Sequence, residues 1–281
     1  MTLDHGGTRC TVVKGHFLLL LFWLLFQKNY DKIAKKFFGG VSGMNRFLLM
    51  YLRNFWTAPG LYGKLCHYAK HTDEYPEAEK YQHIQRILKL AVNSGNVDLQ
   101  LNGKENIPQE NGFMMYGNHQ GMFDVIAIGA TCDNPLAAVM KKELKDVPLL
   151  KQIMQCTHSF AMDREDVRQS LTVIQSVIRE VKKGRNYLIF PEGTRSKTGN
   201  TMGEFHSGSF RCAIKAKCPI VPVALVDSFR VLDQKGSKQM MVHISYLKPI
   251  AYEEYAGMNT TELAALVKGR IQAEIDRILG Q

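Results

Sequence analysis

Apolar positions fall into three regimes along the chain. The first is a continuous run of ten residues, Phe17–Phe26 (FLLLLFWLLF). A membrane-spanning helix needs roughly 20. Lys14 precedes the run, Lys28 follows it, and the next residues, QKNYDK, offer no small-residue cleavage site. The run therefore reads as an in-plane or shallow anchor rather than a signal peptide. Met44 opens MNRFLLMYLRNFW, a natural start for a mature chain. Residues 1–43 are set apart as an apolar extension, either an anchor or a mis-set start.

The second regime, residues 44–95, has helical spacing. Leu48, Tyr51, Leu52, Phe55 and Trp56 recur on one face, with Arg46, Arg53 and Asn54 between them. Aromatic and basic residues on one short helix suit either a membrane interface or packing on a domain. Pro59-Gly60 then predicts a break. A second helix carries Tyr81, Ile84, Leu88 and Ala91 and ends near Asn93-Ser94-Gly95. The expectation is a two-helix membrane-interface segment ahead of a domain over 96–281.

The third regime alternates strand with helix. Val97, Leu99 and Leu101 predict a half-buried strand. Short continuous apolar runs predict buried strands at 113–116, 137–140, 159–162, 187–190, 220–226 and 242–246. Helices are expected after Phe123, over 167–183 with Gly184 as its stop, and over 210–217. Asn259 and Glu262 form a capping-box pattern before a last helix whose apolar face is Leu263, Leu266, Val267, Ile271, Ile275 and Ile278. This alternation predicts an α/β sheet covered on both faces.

Composition narrows the function. Of 281 residues, 45% are apolar and 22% charged, which excludes a mostly disordered chain, a collagen and a polytopic membrane protein. Thirty-six Lys and Arg against 26 Asp and Glu give a net charge of +10, which points to an anionic partner. The six cysteines form no CxxC pair and no zinc-spaced cluster with His, so free thiols and no structural metal are expected. GxxxxGK[ST], GxGxxG and GxSxG are all absent, which weakens the case for an NTPase, a nicotinamide enzyme or a serine α/β-hydrolase.

Four blocks carry candidate chemistry, three of them at strand ends, where open α/β sheets place ligands. The first is Asn118-His119-Gln120-Gly121-Met122-Phe123-Asp124. Positions five apart on a continuous helix sit about 140° apart. His119 must therefore lie in the turn to meet Asp124 in the first helical turn. Asp124 then fixes the imidazole tautomer and leaves the other nitrogen to take a proton from an alcohol. Nine His and 12 Asp predict about 0.4 His-x4-Asp pairs by chance. A second pair, His158 and Asp163, spans a strand that would turn them to opposite faces, so His158 reads as structural. The second block, Phe160-Ala161-Met162-Asp163-Arg164, offers Arg164 to a phosphate or to a surface salt bridge. The third is Phe190-Pro191-Glu192-Gly193-Thr194-Arg195-Ser196. Gly193 permits a tight turn, Thr194 offers a hydroxyl and Arg195 a planar fork for phosphate. Glu192 would receive substrate hydroxyls or hold Arg195. The fourth, Val221-Pro222-Val223, predicts a bulge or an edge strand. Lys141 and Lys142 add a basic pair whose default role is a solvated face.

Together and in this order the blocks resemble the glycerolipid acyltransferase family, in particular its 1-acyl-sn-glycerol-3-phosphate acyltransferase branch, over about residues 97–250. The resemblance implies a mixed, mostly parallel sheet flanked by helices, with the motif core at 113–228. It implies acyl transfer from acyl-CoA or acyl-carrier protein to the sn-2 hydroxyl of lysophosphatidate, giving phosphatidate. His119 would be the general base and Asp124 its orienting partner. Arg164, Glu192, Gly193, Thr194 and Arg195 would bind the glycerol phosphate, with Lys141 assisting. No metal and no cofactor beyond the acyl donor is implied. The expected place is the cytoplasmic face of a membrane. Gln120-Gly121 departs from the small hydroxylated residues of many relatives.

Three rivals stand beside this reading. Glycerol 3-phosphate or another lysophospholipid would use the same chemistry. A non-catalytic basic membrane-surface or nucleic-acid-binding protein would explain the charge, but the cations are dispersed and no recognition signature for nucleic acid is present. A Cys–His thioesterase would need a cysteine at a nucleophile turn, and none of the six sits at one.

Overall fold

The continuous apolar runs of the sequence occupy the middle of the sheet. The structure, a computed structural model, describes residues 44–281 apart from Lys235, Ser237 and Gln281. The extension over 1–43 lies outside the described residues. Strands β1 (Val97–Asn102), β2 (Met114–Gly117), β3 (Leu136–Lys141), β4 (Phe160–Met162), β5 (Asn186–Ile189), β6 (Ile220–Val226) and β7 (Met240–Tyr246) form one sheet in the order β1-β7-β6-β2-β5-β3-β4. Strands β2, β5 and β6 are buried along their whole length. Strands covered on both faces lose polar alternation, which is why these segments read as unbroken apolar runs. Neighbours among β2 to β6 run parallel, β7 is antiparallel to β6, and β1 is parallel to β7. The carboxyl ends of β2, β3, β4, β5 and β6 therefore share one rim.

Helices cover both faces. Alternate residues of β2 divide between two cores. Met114 and Tyr116 join Val173, Val177 and Val181 of a helix over Val167–Lys182, and Leu263, Val267, Ile271 and Ile275 of a helix over Thr260–Leu279. Met115 faces Phe123, Ala127 and Ile128 of a helix over Phe123–Thr131, with Val92 from a helix over Glu77–Ser94. Each such apolar side chain contributes roughly 1.5–3 kcal/mol on full burial. Gly184 follows the 167–182 helix at φ +92°, a backbone that suits glycine. Asn259 and Glu262 make the expected reciprocal cap.

Several expectations are corrected. Residues 44–95 hold three helices, Met44–Arg53, Ala58–Lys70 and Glu77–Ser94, not two. Pro59 sits in the first turn of the second instead of breaking it, a position whose N–H no helix needs. The first helix stops at Arg53, so Phe55 and Trp56 lie beyond it. Among its described side chains Arg46 and Met50 are buried, whereas Leu52, and Trp56 beyond it, are exposed. Arg46 donates to the carbonyls of Gly95 and Lys238, tying this helix to the body. A helix over Leu150–Thr157 has no counterpart in the sequence reading. It is short, and its apolar positions, with Cys156 buried, fill a third cluster with Leu65, Tyr68 and Ile84. The expected helix at 210–217 is a 3₁₀ turn over Ser207–Phe210 followed by a helix over Arg211–Ala216.

Pro222 lies in an interior strand, not at an edge. The Met114 N–H donates to the Pro219 carbonyl, so odd-numbered positions of β6 face β2. Pro222 faces the 247–250 segment, where the register slips by one residue between Val223↔Tyr246 and Ile220↔Ile250. The missing N–H falls at that irregularity, and the Pro222 carbonyl still accepts from Leu247 at 2.9 Å.

Candidate active site

The first motif begins with a side chain extending a β-ladder. Asn118 follows β2, and its amide exchanges two hydrogen bonds with the Leu225 backbone, at 2.9 and 2.8 Å. The main chain is thereby released to turn. His119 lies in that turn. Its N–H donates to Glu192 Oε1 at 2.7 Å and its carbonyl accepts from the Ser196 N–H at 2.7 Å. Asp124 stands in the first turn of the helix that follows, as the spacing requires, and its Oδ2 accepts from His119 Nδ1 at 2.6 Å. The same oxygen accepts from the backbone N–H of Gln120 at 2.7 Å and of Gly121 at 3.0 Å. The Asp124 side chain is fully buried, while that of His119 is 18% exposed and stacks on Phe190 at 4.2 Å between ring centres.

A buried carboxylate is tolerated when donors surround it. Asp124 has three on one oxygen, and Ser228 Oγ donates to the other, Oδ1. With Nδ1–H held by the carboxylate, Nε2 is the basic nitrogen of His119. The arrangement is that of a general base at a partly open rim.

Glu192, at the end of β5, is a strut. Oε1 accepts from His119 N–H and Oε2 from Gly203 N–H, at 2.7 Å each, in a buried position. Both oxygens serve the backbone, so this geometry assigns Glu192 to holding the histidine loop against the 199–203 loop. The expected contact with glycerol phosphate or Arg195 would come in addition to this strut role, since each carboxylate oxygen can accept a further hydrogen bond. Gly193 has φ +69°, and a Cβ there would meet the His206 ring at 3.0 Å. Thr194 is exposed, and Arg195 is half-buried and pairs with Asp233 at 3.5 Å. Burial raises the Asp233 carboxyl above its ordinary range, opposed by Arg195 and reinforced by the nearby Asp124.

Lys141 ends β3 and pairs with Glu143 at 3.2 Å, and Lys142 pairs with Asp163. Arg164 is exposed just past β4. In strand order these ends lie two and three strands from β2, about 10 and 14 Å along the rim at the usual interstrand spacing. His119, Asp124 and Glu192 are brought together; Lys141 and Arg164 occupy the far half. His158 caps the 150–157 helix in the left-handed conformation and its carbonyl accepts from the Tyr187 hydroxyl, a structural role.

Sequence reasoning missed Asn118 as a ladder extender, Ser228, and the link through Asn200. Gln120 Nε2 donates to Asn200 Oδ1 at 2.8 Å, and Asn200 Nδ2 donates to Asp227 Oδ1 at 3.0 Å. The available signal was position: Ser228 follows β6 at the same rim as the other motifs.

Four of the five described cysteines are buried and unsuited to act as nucleophiles. The five described are free, and burial pushes Cys132, Cys212 and Cys218 up to about 12 and Cys156 to about 11. Such thiols stay protonated at neutral pH. Among the described residues no group of three or more His, Cys, Asp or Glu side chains is placed to hold a metal ion.

Comparison with known proteins shows what the chain is similar to. A family model described as Acyltransferase matches residues 98–226, which contain all four motif blocks. The 1-acyl-sn-glycerol-3-phosphate acyltransferase of Saccharomyces cerevisiae is 28% identical over 208 residues, covering 72% of this chain and 66% of that protein. The enzyme of that name from Salmonella typhimurium is 30% identical over 164 residues, covering 57% and 66%. The matches thus span 66% of the length of these curated relatives, just under two thirds. The crystal structure of the 1-acyl-sn-glycerophosphate acyltransferase of Thermotoga maritima superposes with a TM-score of 0.68 at 19% identity, covering 83% of this chain and 96% of that one, which establishes the shared fold. With the ordered motifs and the His–Asp pair inside the matched segment, the chain is similar to the acyltransferase family over residues 98–226.

Proposed function

We propose that this chain transfers an acyl group from a thioester, acyl-CoA or acyl-carrier protein, to the free sn-2 hydroxyl of lysophosphatidate, giving phosphatidate. The observation that carries the reading is the 2.6 Å bond from His119 Nδ1 to buried Asp124. His119 Nε2 takes the hydroxyl proton as the oxygen attacks the thioester carbonyl. The tetrahedral intermediate collapses, the C–S bond breaks, and the thiolate leaves with the proton returned by His119. Atoms and charges balance with the two substrates alone, so no further cofactor enters. General-base assistance of this kind contributes about 10²–10⁴-fold. Arg195 supplies a fork for the phosphate, and Lys141 and Arg164 extend positive charge along the rim. Anchoring the phosphate orients the hydroxyl without placing charge at the reacting carbon.

Both substrates carry acyl chains, so the reaction belongs at a membrane surface on the cytoplasmic side. Leu52 and Trp56, both exposed beside Arg53, suit such contact. Among the described residues no helix is long and apolar enough to cross a membrane.

The test is an assay of purified protein pairing lysophosphatidate, glycerol 3-phosphate and a second lysophospholipid with each donor, beside His119→Ala. The expected result is turnover of lysophosphatidate and a loss of at least about 100-fold in the variant. Turnover retained in His119→Ala removes the mechanism, and preference for another acceptor corrects the substrate.

A further inference from the structure

Ser228 is an unassigned member of the reacting constellation. It follows β6 in a turn whose preceding residue, Asp227, has φ +65°. Few residues other than glycine, asparagine and aspartate adopt that conformation readily. Asn200 holds the turn by accepting from the Asp227 N–H at 2.9 Å and donating to its carboxylate at 3.0 Å. The turn sends the Ser228 side chain inward, where it is fully buried. Its N–H donates to Gln120 Oε1 at 3.0 Å, and its Oγ lies 3.0 Å from that oxygen and closer still to Asp124 Oδ1. A serine hydroxyl has one hydrogen, and the shorter contact, to the charged acceptor, takes it.

We infer that Ser228 is a positioning residue that fixes the rotation of the Asp124 carboxylate and, through it, the tautomer and orientation of His119. The carboxylate plane is defined by two oxygens. Oδ2 is held by the histidine loop itself, from His119, Gln120 and Gly121. Among the described residues, Ser228 alone ties Oδ1 to a different part of the chain, the end of β6. The His–Asp pair is thereby referenced to the sheet rather than to its own loop. Gln120 serves the same purpose, because its carbonyl oxygen receives the Ser228 N–H. Misplacing a catalytic group by about 1 Å costs on the order of 100-fold in rate.

The inference rests on the acyl-transfer reading, and its test separates the two. In Ser228→Ala the expected kcat is lower by about 10–100-fold, with KM for both substrates unchanged, while Ser228→Thr restores kcat to within about threefold because the hydroxyl returns. Ser228→Cys keeps the volume and a weak donor, and it gives an intermediate kcat if the alanine variant fails to fold. A substrate-free readout accompanies these: ¹⁵N NMR of labelled histidine shows His119 protonated on Nδ1 in the wild type and a tautomer mixture in Ser228→Ala or Ser228→Cys. Wild-type kcat in the alanine or cysteine variant, equal losses in alanine and threonine variants, or an unchanged tautomer overturns the inference. An inactive wild type with a changed tautomer upholds it and instead removes the acyl-transfer reading.

Discussion

Where β2, β5 and β6 end, the polar side chains are buried and matched; where β3 and β4 end, they are exposed cations. Asp124 is fully buried with four donors on two oxygens, and Glu192 spends both oxygens on backbone N–H groups. Lys141 is half exposed and pairs with Glu143, and Arg164 stands at the surface. A matched buried network is costly to disturb and holds one geometry. An exposed ion pair is worth about 0–1 kcal/mol and exchanges partners readily. The rim is rigid around the His–Asp pair and adaptable at the exposed cations, a division that suits the proposed proton transfer at the first and phosphate binding at the second.

The largest expected effect breaks the rigid half at its centre. Asp124→Asn is nearly isosteric. Its amide oxygen can keep the three N–H donors on the histidine side, and its NH₂ can turn to Ser228, whose oxygen accepts as well as donates. The fold is therefore retained and the charge that steadies an imidazolium is lost. A fall in kcat of about 10²–10⁴-fold is expected, with native circular dichroism. An activity within threefold of wild type would show that the buried half is not the reacting centre.

A smaller effect sharpens the boundary between the halves. Arg195→Lys keeps the charge but loses the planar fork. The acceptor KM should rise about tenfold, equivalent to about 1.4 kcal/mol, while kcat stays within about threefold. Steady-state kinetics with lysophosphatidate as the varied substrate checks it. A fall in kcat with normal KM would move Arg195 into the rigid half.

How much of this was legible in the sequence follows the same division. The buried strands and the His119–Asp124 pairing could be read because periodicity and spacing are local quantities. The role of Glu192 could not, because its partners, His119 and Gly203, are 73 and 11 residues away and are backbone atoms that leave no mark on residue type. Ser228 and Asn200 were hidden for the same reason, with Ser228 meeting Asp124 across 104 residues. The three-helix start at 44–94 was misread because Pro59 serves equally as a breaker and as a first-turn residue, and only packing decides between them. Pro222 marked an irregularity, which the one-residue register slip bears out, but only the strand order shows that it lies inside the sheet and not at an edge.

The smallest effect is expected at Asp233, which follows β6 and pairs with Arg195. Its carboxyl is raised by burial first, lowered by Arg195 and raised again by Asp124. A raised value means the folded chain holds this proton more tightly than the unfolded chain. The corresponding stability is complete below the ordinary carboxyl value near 4 and is lost as pH rises through the raised one. Asp233→Asn removes that titration, so melting curves from pH 4 to 8 should show the wild type losing ground to the variant as pH rises. The side chain is partly open to water, which keeps the difference small. The same substitution removes a negative charge 3.5 Å from the Arg195 guanidinium. If that guanidinium receives phosphate, the acceptor KM should fall by roughly two- to fivefold, an amount that added salt diminishes. A rise in KM would instead mean that Asp233 holds Arg195 in its receiving position, and the rigid half would then extend one residue further along the rim.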